Sequence, residues 1–272
     1  MSPMHSGRLD VDAIRSRLNT RRIGRRIDYF DTVGSTNAEA LERCAGSDAD
    51  GLVILADWQT AGRGRLGRSW HSPRGGSVML SAVVIDRSNR FLGDQISLIA
   101  AVAVHDALEQ ETHVSVDIKW PNDLLIRNRK VAGMLVESRP TDEAVAFVIG
   151  IGVNCLQHPG HFPEPIRPVA TSLDMESSQP VVRETIVTSI LTELDEWLAG
   201  DPSPSAESVR EAWLARAAPM GGRVHLWSRG KEYAGYVIDV DPTGGLVVNL
   251  DQGGRCTFPP AHTTPVHSPA PE

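Results

Sequence analysis

The sequence predicts an α+β protein: a mixed or mostly antiparallel central sheet with flanking helices, followed by a small β-barrel. Three observations predict it. Apolar, strand-like runs come mostly as neighbours with helical stretches between them, a pattern that argues against a doubly wound sheet. One stretch, "GDQISLIAAVAVHDALEQ" (93–110), repeats apolar residues at three and four, is rich in Ala and has no Gly or Pro after its first residue, so it is the strongest helix. The C-terminal part, 223–258, alternates in short strands punctuated by "SRGK", "DPTGG" and "DQGG".

The elements follow in order. "DVDAIRSRL" (10–18) reads as a first helix and "RIDYFDTV" (26–33) as a strand. "STNAEALERCAG" (35–46) reads as a helix start, with Thr36 and Glu39 at capping-box spacing and Gly46 as the stop. "LVILADW" (52–58) and "SVMLSAVVI" (77–85) are strands on either side of a glycine- and arginine-rich loop. "VDIKW" is a short strand ended by Pro121. "DLLIRNRKVAGMLVES" is two strands joined at "RNR", and "AVAFVIGIGVNC" is a buried strand leading into a glycine-bearing loop. A Pro-rich loop at 158–168 precedes helices at 182–198 and 206–217. "APMGG" (218–222) is the expected boundary, giving a catalytic domain at 1–218, a barrel at 222–260 and a disordered tail at 261–272.

Composition narrows the class. The chain has 272 residues and net charge -7, too acidic overall for a dedicated nucleic-acid binder. No run is long enough to span a membrane, and the first residues have no apolar core of a secretory signal. Cys44, Cys155 and Cys256 are odd in number and far apart, which points to a reducing, cytoplasmic setting.

Gly62, Gly64 and Gly67 stand at the G-x-G-x-x-G spacing of a dinucleotide loop, with Asp86 at a tempting distance. The helix such a loop needs is ruled out by Pro73, Gly75 and Gly76. Arg63, Arg65, Arg68 and Arg74 crowd this stretch without an intervening acid, and Trp58 and Trp70 flank it. Glycine lets backbone N–H groups approach an anion and guanidinium binds phosphate oxygens in pairs, so the loop reads as a phosphate-plus-ring site. "KWPND" (119–123) offers Asn122 and Asp123 beyond a strand end, although Pro-Asn-Asp is also ordinary turn chemistry. Lys130 opens an apolar strand near Gly133, at a sheet edge where a lysine is more often solvent-facing than catalytic. Gly150 and Gly152 in "IGIGVN" imply close approach by a ligand or a neighbouring segment. Cys155, His158 and His161 have a spacing that invites zinc, but no fourth ligand is evident.

"STN" (35–37), "QTAGRGRLGRSW" (59–70), "KWPND", "RKVAGMLVE" and "IGIGVN", in this order and spacing, resemble the biotin protein ligases. The resemblance covers about 29–154 and extends more loosely through "ATSL" (170–173) to a C-terminal barrel of SH3-like type. It implies a class II synthetase-like catalytic domain that activates biotin with ATP and Mg²⁺ to biotinyl-5'-adenylate. The biotinyl group then passes to a lysine of the biotin carboxyl carrier domain of acyl-CoA carboxylases. It also implies roles. Ser35, Thr36, Asn37 and Gln59 would face the biotin head group, and Gly62 and Arg63 the junction of biotin and phosphate. Gly133 and Gly150 would shape the pocket. Arg65, Lys130 and Asp123 would be catalytic, with Lys130 also touching biotin and Arg65 and Asp123 the adenylate. Arg68 would meet the triphosphate, Trp70 would stack on adenine, Asn122 would lie near the adenylate or its metal, and Asn154 would address adenine. No protein metal site is expected.

Some family members carry an N-terminal DNA-binding domain. The segment before Ser35 is too short to hold one, so no repressor activity and no nucleic-acid or membrane partner is expected, and the basic run 15–26 reads as a solvated face. The oligomeric state is open. The rivals are a lipoate ligase on a related fold and a non-catalytic module that senses biotin or nucleotide.

Overall fold

The computed structural model describes residues 7–266, apart from 47, 92–93, 142–143 and 219–220. The chain runs through α1 (Val11–Arg17), β1 (Arg26–Phe30), α2 (Thr36–Arg43), β2 (Leu52–Ala56) and β3 (Ser77–Asp86). Next come α3 (Gln95–Thr112), β4 (Asp117–Lys119), β5 (Asp123–Ile126), β6 (Arg129–Pro140) and β7 (Val145–Asn154). α4 (Leu173–Glu176), α5 (Arg183–Leu198) and α6 (Ala206–Leu214) lead to a second sheet. Its strands are β8 (Arg223–Ser228), β9 (Lys231–Asp241), β10 (Gly245–Leu250), β11 (Arg255–Phe258) and β12 (Thr263–Pro265).

The expected α+β class holds. The central sheet has the order β1-β2-β3-β7-β6-β5-β4. β1 runs parallel to β2, and the remaining neighbours are antiparallel. All ten residues of β3 are buried because the strand is covered on both faces. On one face Val78, Leu80, Ala82 and Val84 join the apolar side of α3 and α5. On the other, Val83 and Ile85 meet Ala40 of α2 and Cys44, which caps its C-terminus. The two-residue turn between β5 and β6 uses Arg127 (φ 49) and Asn128 (φ 62). Both are left-handed, as a tight hairpin that follows the strand twist requires.

A buried ion pair ties distant parts of the chain together. Arg183, at the start of α5, donates to Asp57 at 2.8 Å, and both side chains are about 4% exposed or less. Asp57 also accepts from the Leu9 backbone N–H and the Tyr29 hydroxyl. Burial, reinforced by that carboxylate, pushes the Tyr29 phenol up to about 12.

Three expectations need correction. The Thr36–Glu39 spacing does not make a capping box. Ser35 occupies the N-cap without a side-chain cap bond, and Thr36 lies inside the first turn, where its hydroxyl serves a different network. The last part of the expected helix 206–217 is not helical: Ala217 instead bridges to Ile118, and the flanking N–H of Ile118 and Ala218 complete two hydrogen bonds along the edge of β4. The tail does not begin at 261. β12 pairs antiparallel with β8, with the hydroxyls of Ser228 and Thr263 2.9 Å apart. Pro-rich composition concealed it, yet proline is tolerated at a sheet edge. Residues 267–272 of the expected tail, and residues 219–220 of the expected boundary, lie outside the described residues.

Arg183→Met leaves the Asp57 carboxylate buried without its cation, a loss expected to cost about 3–5 kcal/mol. A denaturant titration of the variant against the parent checks it.

Candidate active site

The register of the sheet determines the site. On the α2 face, Met79, Gly152, Gly133 and Asp123 lie directly opposite one another across β3, β7, β6 and β5. The next rung brings Ser81, Gly150 and Leu135 together. Three glycines in two neighbouring rungs hollow the sheet surface. A Cβ on Gly150 would stand 2.1 Å from Asn37 Oδ1, and one on Gly152 would stand 2.6 Å from the Trp70 ring. The glycines are there so that α2 and the loop can approach the sheet.

Thr36 and Asn37, at the start of α2, sit on this hollow. Ser81 Oγ is 2.8 Å from Thr36 Oγ1 and donates to Asn37 Oδ1 at 2.6 Å. Asn37 Nδ2 donates to the Leu135 carbonyl at 3.2 Å and to Glu137 at 2.7 Å. The amide is therefore fixed in one orientation, since its NH₂ faces two acceptors. Gln59 Oε1 accepts from the Thr36 backbone N–H at 2.7 Å and from its hydroxyl at 3.1 Å. That turns the Gln59 NH₂ away from this network. Ser35, Thr36 and Asn37 are each about 5% exposed or less.

The glycine–arginine loop borders the hollow. Gly62 is required by crowding: a Cβ there would lie 2.8 Å from the Trp70 carbonyl. The loop closes on itself through Gly64 N–H to Arg68 O and Trp70 N–H to Gly62 O. Arg63 donates to Glu137 at 3.0 Å. Arg65 donates to Asn122 Oδ1 at 3.2 Å and to the carbonyl of Pro260, between β11 and β12. Burial lowers the Arg65 pKa, opposed by the nearby carboxylates of Asp123 and Asp94, while burial raises Asp94. Arg65, Asn122, Asp94, Met134 and Pro260 line a cavity of about 110 Å³. Arg68 is exposed.

Lys130 projects along β6 to the other rung. Its Nζ donates to Asp123 at 2.5 Å and lies 5.7 Å from the Trp70 ring centroid. Asn122 is gripped by Met134, whose N–H donates to the Asn122 carbonyl and whose carbonyl accepts from the Asn122 amide.

The structure thus brings most of the expected residues into one place, with some reassignments. Gly150 admits Asn37, and Trp70 packs on Gly152 and Gly133. Asn154 gives its amide to the Thr171 carbonyl and accepts from Gln157, which anchors the segment before α4. Trp58 and Arg74 stack on each other 5.2 Å apart, and Arg74 pairs with Asp31. Asp86 is consumed by the backbone N–H groups of Ser88, Arg90 and Phe91, so it is a turn residue. The Cys155 thiol is buried, and burial pushes it up to about 12. Among the described residues no group of three or more His, Cys, Asp or Glu, Cys155 with His158 and His161 included, is placed to hold a metal ion. Ser81, Glu137 and Gly152 belong to the site but were not singled out as ligand residues. A lone serine inside "VMLSAVVI" was the available signal for Ser81.

Comparison with known proteins now bears on this arrangement. A family model described as the biotin/lipoate A/B protein ligase family matches residues 29–154. The biotin–[acetyl-CoA-carboxylase] ligase of Mycobacterium tuberculosis is 36% identical, over 91% of this chain and 91% of its own. The bifunctional ligase/repressor BirA of Bacillus subtilis is 31% identical, over 91% of this chain and 76% of its own. This chain belongs to the biotin protein ligase family. A biotin protein ligase from Aquifex aeolicus, solved with biotin and ATP, shares the fold at a TM-score of 0.73. At 24% identity it covers 90% of this chain and 100% of its own.

In the ligase, Gly150→Ala drives a methyl group into the Asn37 amide. Ligase activity is expected to fall about 100-fold, the scale of a 1 Å misplacement, with the circular dichroism spectrum unchanged. Steady-state assay of the purified variant checks both.

Proposed function

We propose that this biotin protein ligase works in two steps at the glycine-lined hollow. A biotin carboxylate oxygen attacks the α-phosphorus of ATP, forming biotinyl-5'-adenylate and releasing pyrophosphate. The amine of an acceptor lysine then attacks the acyl carbon, loses a proton, and AMP departs. The observation that carries this reading is the convergence of Lys130–Asp123, Arg63 and Arg65 beside the polar pocket of Thr36, Asn37 and Gln59. One end suits a polar ring and the other suits anions.

The chemistry needs charge neutralisation and positioning rather than a protein nucleophile. Lys130 would turn from Asp123 to the carboxylate and α-phosphate oxygens as negative charge gathers there. Asp123, so released, would face the incoming amine. Arg65 would exchange Asn122 for phosphate. Among the described residues no group of three or more His, Cys, Asp or Glu could hold a metal ion. Magnesium, which the family resemblance implies, would be carried mainly by the triphosphate and water. A carrier domain of an acyl-CoA carboxylase as acceptor is supported by the name of the M. tuberculosis relative.

We read the chain as a ligase without repressor activity in the residues described. Part of its basic run is engaged within the chain, while Arg17, Arg21 and Arg25 are exposed. Arg22 pairs with Asp50, Arg26 with Asp28 and Asp48, and Arg15 donates to the Ile27 carbonyl. A sequence-dependent gel shift that survives raised salt is not expected. Among the described residues no helix is long and apolar enough to cross a membrane.

Biotin-dependent ATP–pyrophosphate exchange tests the first step, with lipoate as the competing acid. Exchange is expected with biotin alone; exchange with lipoate alone overturns the reading. Lys130→Ala is expected to lose about 10²–10³ in exchange rate while remaining folded.

A further inference from the structure

Glu137 stands on β6 one rung beyond Gly150, opposite Val148. One of its carboxylate oxygens is shared by two donors from different parts of the chain. Asn37 Nδ2 lies 2.7 Å away at the floor of the site, and Arg63 lies 3.0 Å away in the glycine–arginine loop. Among the described residues these are its side-chain partners. Its side chain is 26% exposed, so the pair is neither a free surface contact nor a buried core pair.

The shared oxygen has two consequences. It selects the orientation of Asn37. With the amide reversed, Asn37 Oδ1 would face both the Glu137 carboxylate and the Leu135 carbonyl, and its NH₂ would face the Ser81 hydroxyl. It also ties the first arginine of the loop to the same point, so the loop and the floor share one anchor. The Arg63 end of the loop is thereby held beside the residues that would bind the substrate.

We infer that Glu137 is a positioning residue of the ligase reaction, which orients the Asn37 amide and tethers the Arg63 loop over the bound adenylate. This rests on the two-step reading above. Through Arg63 it slows escape of the activated acid, and through Asn37 it sets affinity for the ring.

Glu137→Gln keeps an acceptor oxygen for Asn37 but removes the charge that holds Arg63. Adenylate dissociation is expected to speed up about three- to fivefold, the scale of a half-exposed ion pair, with the KM for biotin within about twofold of the parent. Glu137→Leu removes both partners, so the same faster release is joined by a rise of about tenfold in the KM for biotin, with the KM for ATP unchanged. Adding Glu137→Gln to Arg63→Ala should give no further acceleration. Trypsin cleavage within 63–68 of the ligand-free protein should also be faster in Glu137→Gln, a readout that needs no chemistry, and thermal melts confirm that each variant is folded. Unchanged cleavage and release in Glu137→Gln, or release effects that multiply with Arg63→Ala, overturn the tether. An unchanged KM for biotin in Glu137→Leu overturns the orienting role. A parent protein that makes no adenylate from biotin overturns the two-step reading instead, and the cleavage comparison still decides the tether.

Discussion

Everything at the site depends on three glycines arriving in register on one face of the sheet. Gly133 and Gly152 oppose each other, and Gly150 lies in the next rung. Each glycine in a strand costs roughly 0.5–1 kcal/mol relative to alanine. The opposite face offsets this. There Val78, Leu80, Ala132, Ile149, Ile151 and Val153 are sealed beneath α3 and α5. One face is packed so thoroughly that the other can be left hollow, and the hollow receives Asn37 and Trp70 at distances no larger residue would allow.

The charged side chains of Lys130, Arg63 and Arg65 around the hollow all have partners within the chain. Lys130 rests on Asp123, Arg63 on Glu137, and Arg65 on neutral oxygens of Asn122 and Pro260. The hydrogen bonds of Arg65 go to neutral oxygens, while the carboxylates of Asp123 and Asp94 nearby partly offset the cost of burying its charge. In the proposed reaction Arg65 would exchange those neutral acceptors for phosphate. Arg63 already has a carboxylate partner, so it is suited to holding the loop in place.

The sequence carried the local features and concealed the long-range ones. The "RNR" hairpin was legible because Arg127 and Asn128 form a tight turn between two apolar runs. Gly150 and Gly152 were legible as points of close approach, but which segment approaches is a matter of cross-strand register, which no local pattern encodes. Glu137 closes the motif "RKVAGMLVE" with no legible role, because its partners are 74 and 100 residues away. The Thr36–Glu39 spacing misled for a related reason: the Thr36 hydroxyl is claimed by Gln59 and Ser81, and tertiary contacts outcompeted the cap. Asp57 and Arg183, 126 residues apart, gave no sign of pairing.

The barrel shows how a small unit becomes part of the same machine. Its few strands bury a modest core, built around Leu226, Val240, Leu246, Val248 and Phe258, and a sheet of that size gains from external support. Arg210 of α6 forks onto Asp239 of β9 at 2.8 Å on both arms, and Arg216 forks onto Asp106 of α3. The connecting segment completes the edge of β4 through Ile118, so an edge that would otherwise expose unpaired backbone is closed by the linker itself. β4 leads directly into Pro121 and Asn122, and Arg65 spans from Asn122 to the carbonyl of Pro260. Support for the barrel and placement of Arg65 therefore run through the same short stretch of chain, and Pro260 of the C-terminal unit lines the cavity that Arg65 and Asn122 border.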